Sequence, residues 1–277
     1  MKRILLLCIA ACVFSTGFAQ QDTTGKKQTD DTIRIGGMII IKKAGSEDRE
    51  IITQDKTISI PSRRKPENII TNWWVIDIGF SAFEDKTNYA SAETQAFAPG
   101  STEDWFDISS GPSRNMNIWI FLQRLNMVKH VVYLKYGLGL ELNNYFFDDT
   151  RVRFLKNPTK VILDDTLEGA KKNKLAADYL TVPLMLNFNF TPDRRNGFGL
   201  SVGVSAGYLY SARQKVKTGD DKFKVHNDFD LEDWKFSYIA EINLGIIKLY
   251  GSYAFNSMWE KGLDQTPYNF GLRLSNW

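Results

Sequence analysis

From Asn72 to the end of the chain, apolar and polar positions alternate with a period of two in eight separate segments. In the first, Trp74, Ile76, Ile78, Phe80 and Ala82 share one face, and Asp77, Gly79 and Ser81 share the other. The second sets Met116, Ile118, Ile120 and Leu122 against Asn115, Asn117 and Gln123. The third is the most regular: Val132, Leu134, Tyr136, Leu138, Leu140 and Leu142 oppose Lys135, Gly137, Gly139, Glu141 and Asn143. Five more segments follow the same rule, around Leu180–Phe190, Phe198–Tyr208, Phe236–Leu244, Ile247–Phe255 and Tyr268–Leu274. Each predicts a β-strand with one apolar and one polar face.

Alternation does not say which face is inside; the connections help. Gaps of about thirty, five, thirty, seven, twenty, two and ten residues separate the segments in turn, so long and short alternate. Transmembrane barrels have this arrangement, with long loops outside and short turns in the periplasm. The segments also supply the roughly 9–11 residues that a tilted strand needs to cross a bilayer. The reading is an all-β chain: an eight-stranded antiparallel transmembrane β-barrel over residues 72–277. The bacterial outer membrane is its expected location, with both mature termini periplasmic.

Aromatic residues make up 13 % of the chain, and many fall near segment ends. Trp73, Trp74, Phe188, Phe190, Phe198 and Trp277 are expected at the periplasmic rim. Tyr145, Phe147, Tyr208, Trp234, Phe236, Phe255 and Tyr268 are expected at the outer one. Rings gather at both membrane interfaces, where headgroups meet acyl chains. A soluble lipocalin-like ligand-binding barrel, with the apolar face turned inward, is the competing arrangement.

The residues before the barrel divide into two parts. Residues 1–19 read as a signal peptide: Lys2 and Arg3, an apolar run from Ile4 to Phe14, then Gly17 and Ala19 at cleavage-site spacing. An uncleaved anchor, or lipidation at Cys12 within Ile9-Ala10-Ala11-Cys12, are the alternatives. Cleavage after Ala19 removes both cysteines, Cys8 and Cys12, and with them any disulfide, thiolate nucleophile or Cys-ligated metal. Residues 20–71 begin polar. They then carry two β-rich stretches, Thr32–Lys43 and Glu50–Ser62, which predict a periplasmic hairpin, followed by a basic linker at Ser62–Pro66.

Composition narrows the function classes. With 43 % hydrophobic residues and 24 % charged, the chain is neither a helical membrane bundle nor disordered throughout. A formal net charge of +3 gives no strong attraction to nucleic acid. Asp77, Lys135, Glu141, Glu241, Lys248 and Arg273 all lie on polar faces. The interior of an eight-stranded barrel is only wide enough for side chains, so these charges are expected to pair in a plugged lumen. Trp119, Phe121 and Tyr133 are expected to point inward and obstruct it further.

Candidate chemistry is sparse. His226 opens an acidic stretch in which Asp228, Asp230, Glu232 and Asp233 form a conceivable hard-cation site, without the spacing of an EF-hand. A hydrolytic or lipid-modifying site near His226 is the enzymatic alternative. The sequence holds no HExxH, nucleophile elbow or phosphate-binding Gly-rich loop. No cofactor and no resident metal are expected.

Three stretches carry a resemblance: Trp73-Trp74-Val75-Ile76-Asp77-Ile78-Gly79, Tyr136-Gly137-Leu138-Gly139-Leu140 followed by Asn144-Tyr145, and Tyr179-Leu180-Thr181-Val182-Pro183-Leu184. Over about residues 72–277 the chain resembles the outer-membrane β-barrel family that includes PorT-like proteins. The resemblance implies the fold and the membrane more than an activity; the expected role is non-enzymatic, as a structural, interaction or export-accessory protein. The expected partners are outer-membrane lipid, the barrel assembly machinery during biogenesis, and a protein at the outer loops or the periplasmic extension. A terminal aromatic in register with the apolar face is usual; Trp277 falls on the polar face.

Overall fold

The structure is a computed structural model that describes residues 31–35, 38–42, 49–53, 56–60, 67–191 and 197–275. The expected signal peptide, both cysteines, the Ser62–Pro66 linker and Trp277 lie outside these residues. The chain divides into two compact units, one up to Lys65 and one from Pro66, so the second begins six residues before the expected boundary at 72.

The first unit contains a four-stranded antiparallel meander rather than a single hairpin. Its strands are β1 (Asp31–Ile35), β2 (Met38–Lys42), β3 (Arg49–Thr53) and β4 (Lys56–Ile60). Each predicted stretch splits in two, because Gly36-Gly37 and Gln54-Asp55 interrupt the β-formers. The register aligns Ile33, Ile40, Ile51 and Ile58 in one row across the four strands.

The second unit is the barrel. Eight strands form it: β5 (Ile69–Asp85), β6 (Arg114–Val128), β7 (Val132–Phe146), β10 (Lys172–Asn189), β11 (Phe198–Thr218), β13 (Trp234–Leu244), β14 (Ile247–Ala254) and β15 (Gln265–Leu274). Neighbouring strands pair antiparallel, β15 returns to β5, and β10 pairs with β11 to close the ring. Three smaller strands belong to the long loops: β8 (Val152–Leu155), β9 (Lys160–Leu163) and β12 (Asp221–His226).

The apolar face points outward. Ile78 is 51 % exposed and Leu184 50 %, whereas Asp77 between the strands' outward residues is 0 % exposed. A wall that is greasy outside and polar inside matches a barrel solvated by lipid, and it overturns the lipocalin-like arrangement.

Register shifts reset the alternation, and two of them redirect side chains. Between Trp119 and Phe121 the β6–β7 register shifts by one residue. Phe121 therefore turns to the outer wall, 5.9 Å from the Trp73 ring, and Leu122 takes its place inside. This corrects the expected inward Phe121 and outward Leu122. Gln123 also turns outward, where it donates to Thr71 Oγ1 at 2.8 Å and accepts from the Tyr136 hydroxyl. Inside, Trp119 and Leu122 fit because Gly139 and Gly137 face them: a Cβ there would lie 2.6 and 2.7 Å from those side chains. The second bulge lies opposite Asp178 and Tyr179, where β11 carries an extra residue at Tyr210.

The four long connections do not project as separate loops. Loop one contains α1 (Ala92–Phe97), whose N-cap Ser91 accepts from Thr94 N at 3.1 Å, and a 3₁₀ turn at Glu103–Phe106. Phe97 and Phe106 from this loop, Phe154 from the second, Phe229 from the third and Trp259 from the fourth share one buried cluster. Trp259 stacks on Phe154 with centroids 5.6 Å apart and meets Phe97 edge-on at 5.7 Å. Gly262, at φ +82°, leaves the space that Phe97 occupies. Tyr145 and Phe147 are buried here as well, which removes them from the expected outer girdle. Tyr208, Trp234, Phe236 and Phe255 remain exposed as that girdle, with Tyr208 on Trp234 at 5.2 Å. At the opposite end Trp73, Trp74, Phe190 and Phe198 are exposed.

Leu184 lies near the middle of the lipid-facing run of β10, so Leu184→Arg should lower stability by about 2–4 kcal/mol. Denaturant unfolding in lipid vesicles measures this. A loss under about 1 kcal/mol would place that face away from hydrocarbon.

Candidate functional site

The polar faces of the eight strands meet in the barrel interior. Burial of an ion there is costly unless a partner and hydrogen bonds accompany it. Arg273 on β15 meets this need with a fork. Its Nε donates to Asp77 Oδ1 at 2.6 Å, its Nη2 donates to Asp77 Oδ2 at 2.7 Å, and its Nη1 pairs with Glu241. Asp77 accepts further from Trp119 Nε1 at 2.7 Å and Asn117 Nδ2 at 3.2 Å. The Arg273 guanidinium also lies 5.6 Å from the Trp119 ring centre.

Glu241 on β13 also pairs with Lys135 on β7. Those strands are not neighbours; in the ring they stand nearly opposite each other. A second pair makes the same crossing, Lys235 on β13 to Glu141 on β7. Glu141 accepts as well from Asn269 Nδ2 at 2.9 Å and Asn143 Nδ2 at 3.2 Å, while Lys235 lies 4.8 Å from the Tyr179 ring centre. Tyr250 on β14 reaches across to Asn115 on β6 at 2.5 Å. Opposite charges therefore bridge the lumen rather than line it.

Five of the six interior charges anticipated from the sequence belong to this network. Lys248 does not: its Nζ donates to the Ser275 carbonyl at 2.6 Å and to Ser275 Oγ at 2.9 Å, at the short-turn end. Lys235 completes the network and was missing from the sequence expectation. Its signal is its parity with Ser237 and Glu241, one residue before the point where the apolar alternation becomes obvious.

The acidic stretch after His226 has a different role. Phe229 and Leu231 are buried in the loop cluster, so the apolar residues between the carboxylates are the ones that pack into the fold. Asp230 pairs with Lys261 at 2.8 Å, while Asp228 and Asp233 are exposed. Among the described residues no group of three His, Asp or Glu side chains could hold a metal ion. Burial, and then Glu232, Asp230 and Asp233, hold the Glu260 carboxyl above its ordinary value. His226 is exposed on β12, opposite Arg213 in the register, and His130 sits in a short turn with Nδ1 3.3 Å from the Tyr133 hydroxyl. In the loop cap, Tyr89 donates to Asp85 at 2.7 Å; burial and that carboxylate push its phenol well above the ordinary range, so it stays a donor.

Arg273→Met removes one cation from two carboxylates and should cost about 3–5 kcal/mol of stability. Adding Asp77→Asn should restore part of that loss, because one uncompensated carboxylate is gone while an acceptor for Trp119 remains. Equilibrium unfolding of both variants tests the pairing; a double variant no better than the single would contradict it.

The chain finds no match among curated proteins. The family described as outer membrane protein beta-barrel domain matches residues 101–260, more than half of the chain. This span includes β6 to β14 and every long loop's contribution to the cap except part of the first and last. With the closed eight-stranded ring, the outward apolar belt and this match, the chain belongs to the outer membrane protein beta-barrel domain family, and its place is the outer membrane.

Proposed function

We propose that the protein is a non-enzymatic, non-conducting outer-membrane barrel that works through the surfaces it presents at its ends. The pairs Lys135–Glu241 and Lys235–Glu141, which cross the lumen between β7 and β13, carry this reading. A conduit needs an open, solvated path, whereas these pairs hold opposite charges together in the middle of it. The aromatic cap then supports a firm outer surface, with the long loops outside the cell and both mature termini in the periplasm. β5 starts and β15 ends at the short-turn end, which agrees with that orientation. A protein partner at the cap or at the four-stranded extension fits a structural, interaction or export-accessory role, as the resemblance to PorT-like proteins also suggests. Folding into the membrane would involve the barrel assembly machinery.

Purified protein in planar bilayers should give no conductance steps, and incubation with phospholipid should release no fatty acid. Sustained steps would overturn the closed-lumen reading. Fatty-acid release that disappears in His226→Ala would replace it with the enzymatic one.

A further inference from the structure

Beyond the apolar belt, on the long-loop side, the wall made by β10, β11 and β12 continues as hydrogen-bonded sheet. Its register sets Lys172, Lys217 and Lys222 in one cross-strand row, and Lys174, Lys215 and Lys224 in the next. Like charges directly opposite one another destabilise a sheet, so two adjacent rows of lysine call for a counter-charge from outside it. Asp178, on the same face, is already engaged by Arg213. Asp221 pairs with Thr218 in the register and so takes the other face.

The direction of this face is fixed by burial. Asn173, Leu175, Gln214 and Val216 are buried on the cap side. There Gln214 Nε2 donates to the Val152 carbonyl at 2.8 Å and its Oε1 accepts from Phe154 N at 3.0 Å. The lysines occupy the alternate positions. On β10 the same parity runs through the buried Ala176 and Asp178 to Leu180, Val182 and Leu184, which face lipid. On β11 the extra residue at Tyr210 shifts the parity, so Lys215 and Lys217 come out on the side of Val202 and Val204 instead of pointing into the cap. Beyond the rows that hold the Asp178–Arg213 pair, the surface that meets acyl chains therefore becomes a lysine array. The layer next to acyl chains along the membrane normal is the headgroups.

We infer that the six lysines form a binding surface for the phosphate groups of anionic lipid headgroups in the leaflet on the long-loop side. Lysine suits this contact: its ammonium is a compact charge on a flexible stem that reaches a phosphate at the headgroup level. Basic segments at that level are drawn to anionic lipid, and salt weakens the attraction. Only the identity of the leaflet rests on the orientation proposed above.

The test uses the full-length protein in nanodiscs of phosphatidylcholine doped with lipid A, which offers the same lipid in both leaflets and so does not depend on orientation. Native mass spectrometry counts the lipids retained. Lipid A should be enriched over phosphatidylcholine, with less enrichment in high salt. Replacing Lys215, Lys217, Lys222 and Lys224 by Gln should reduce its affinity about tenfold or more, and Lys129→Gln, at the short-turn end, should not. If the fourfold variant loses heat-modifiable gel migration and so has not folded, Lys222→Gln with Lys224→Gln, both on β12 outside the closed ring, should still give a measurable loss. Equal retention of the two lipids, or enrichment unchanged by these substitutions, would overturn the inference. So would displacement by millimolar inorganic phosphate, or binding of heparin without lipid enrichment; these would mark a soluble anion site.

Discussion

The structure depends on pairing charge inside a cylinder narrow enough for side chains to fill. Lipid outside draws the apolar face of the alternating strands onto the outer wall, and period two then turns the polar face inward. Eight strands give an interior that side chains fill. Asp77, Glu141 and Glu241 need partners there, and Arg273, Lys135 and Lys235 supply them. The glycines opposite Trp119 and Leu122, the asparagine ladder around Glu141 and the crossing from Tyr250 to Asn115 all follow from fitting that network into the available width.

The cap solves a related problem at the open end. Long polar connections could leave the lumen exposed, but each one contributes at least one large apolar residue to a shared cluster. Trp259 is the point of contact between loops, stacking on Phe154 and meeting Phe97, while its Nε1 donates to Gln265 at 2.9 Å. Gln265 in turn donates to Asp85 at 2.7 Å and ties the fourth loop to the first strand of the barrel. The cap is thus held to the ring by polar contacts as well as apolar ones.

The barrel and its strand order were legible because each strand is long and two-faced, and the alternating gaps give the ends their sides. Five of the six charges in the interior network were legible from parity alone; Lys235, just before the clear alternation of β13, was not. Features that break parity were not legible. The bulge at Ile120 exchanges Phe121 and Leu122, and the extra residue at Tyr210 turns Lys215 and Lys217 outward; both depend on pairing between strands, which a single strand's pattern does not contain. The cap was hidden for a different reason. Its residues come from four distant, aperiodic segments, so Phe97, Phe154, Phe229 and Trp259 look like scattered loop aromatics until the fold brings them together. The acidic run after His226 misled in the same way: the apolar residues between its carboxylates, Phe229 and Leu231, are what the fold uses.

The fork between Arg273 and Asp77 joins β15 to β5, the last and first strands of the ring. Along the chain these residues are 196 positions apart. Until the two ends of the sheet meet, each carries an ion on a strand whose other neighbour is missing, in or beside hydrocarbon. An open, membrane-embedded ribbon is therefore penalised at its two edges, and the penalty disappears in the step that joins them. The pair acts as an electrostatic latch, one that engages only where the first and last strands of the ring meet.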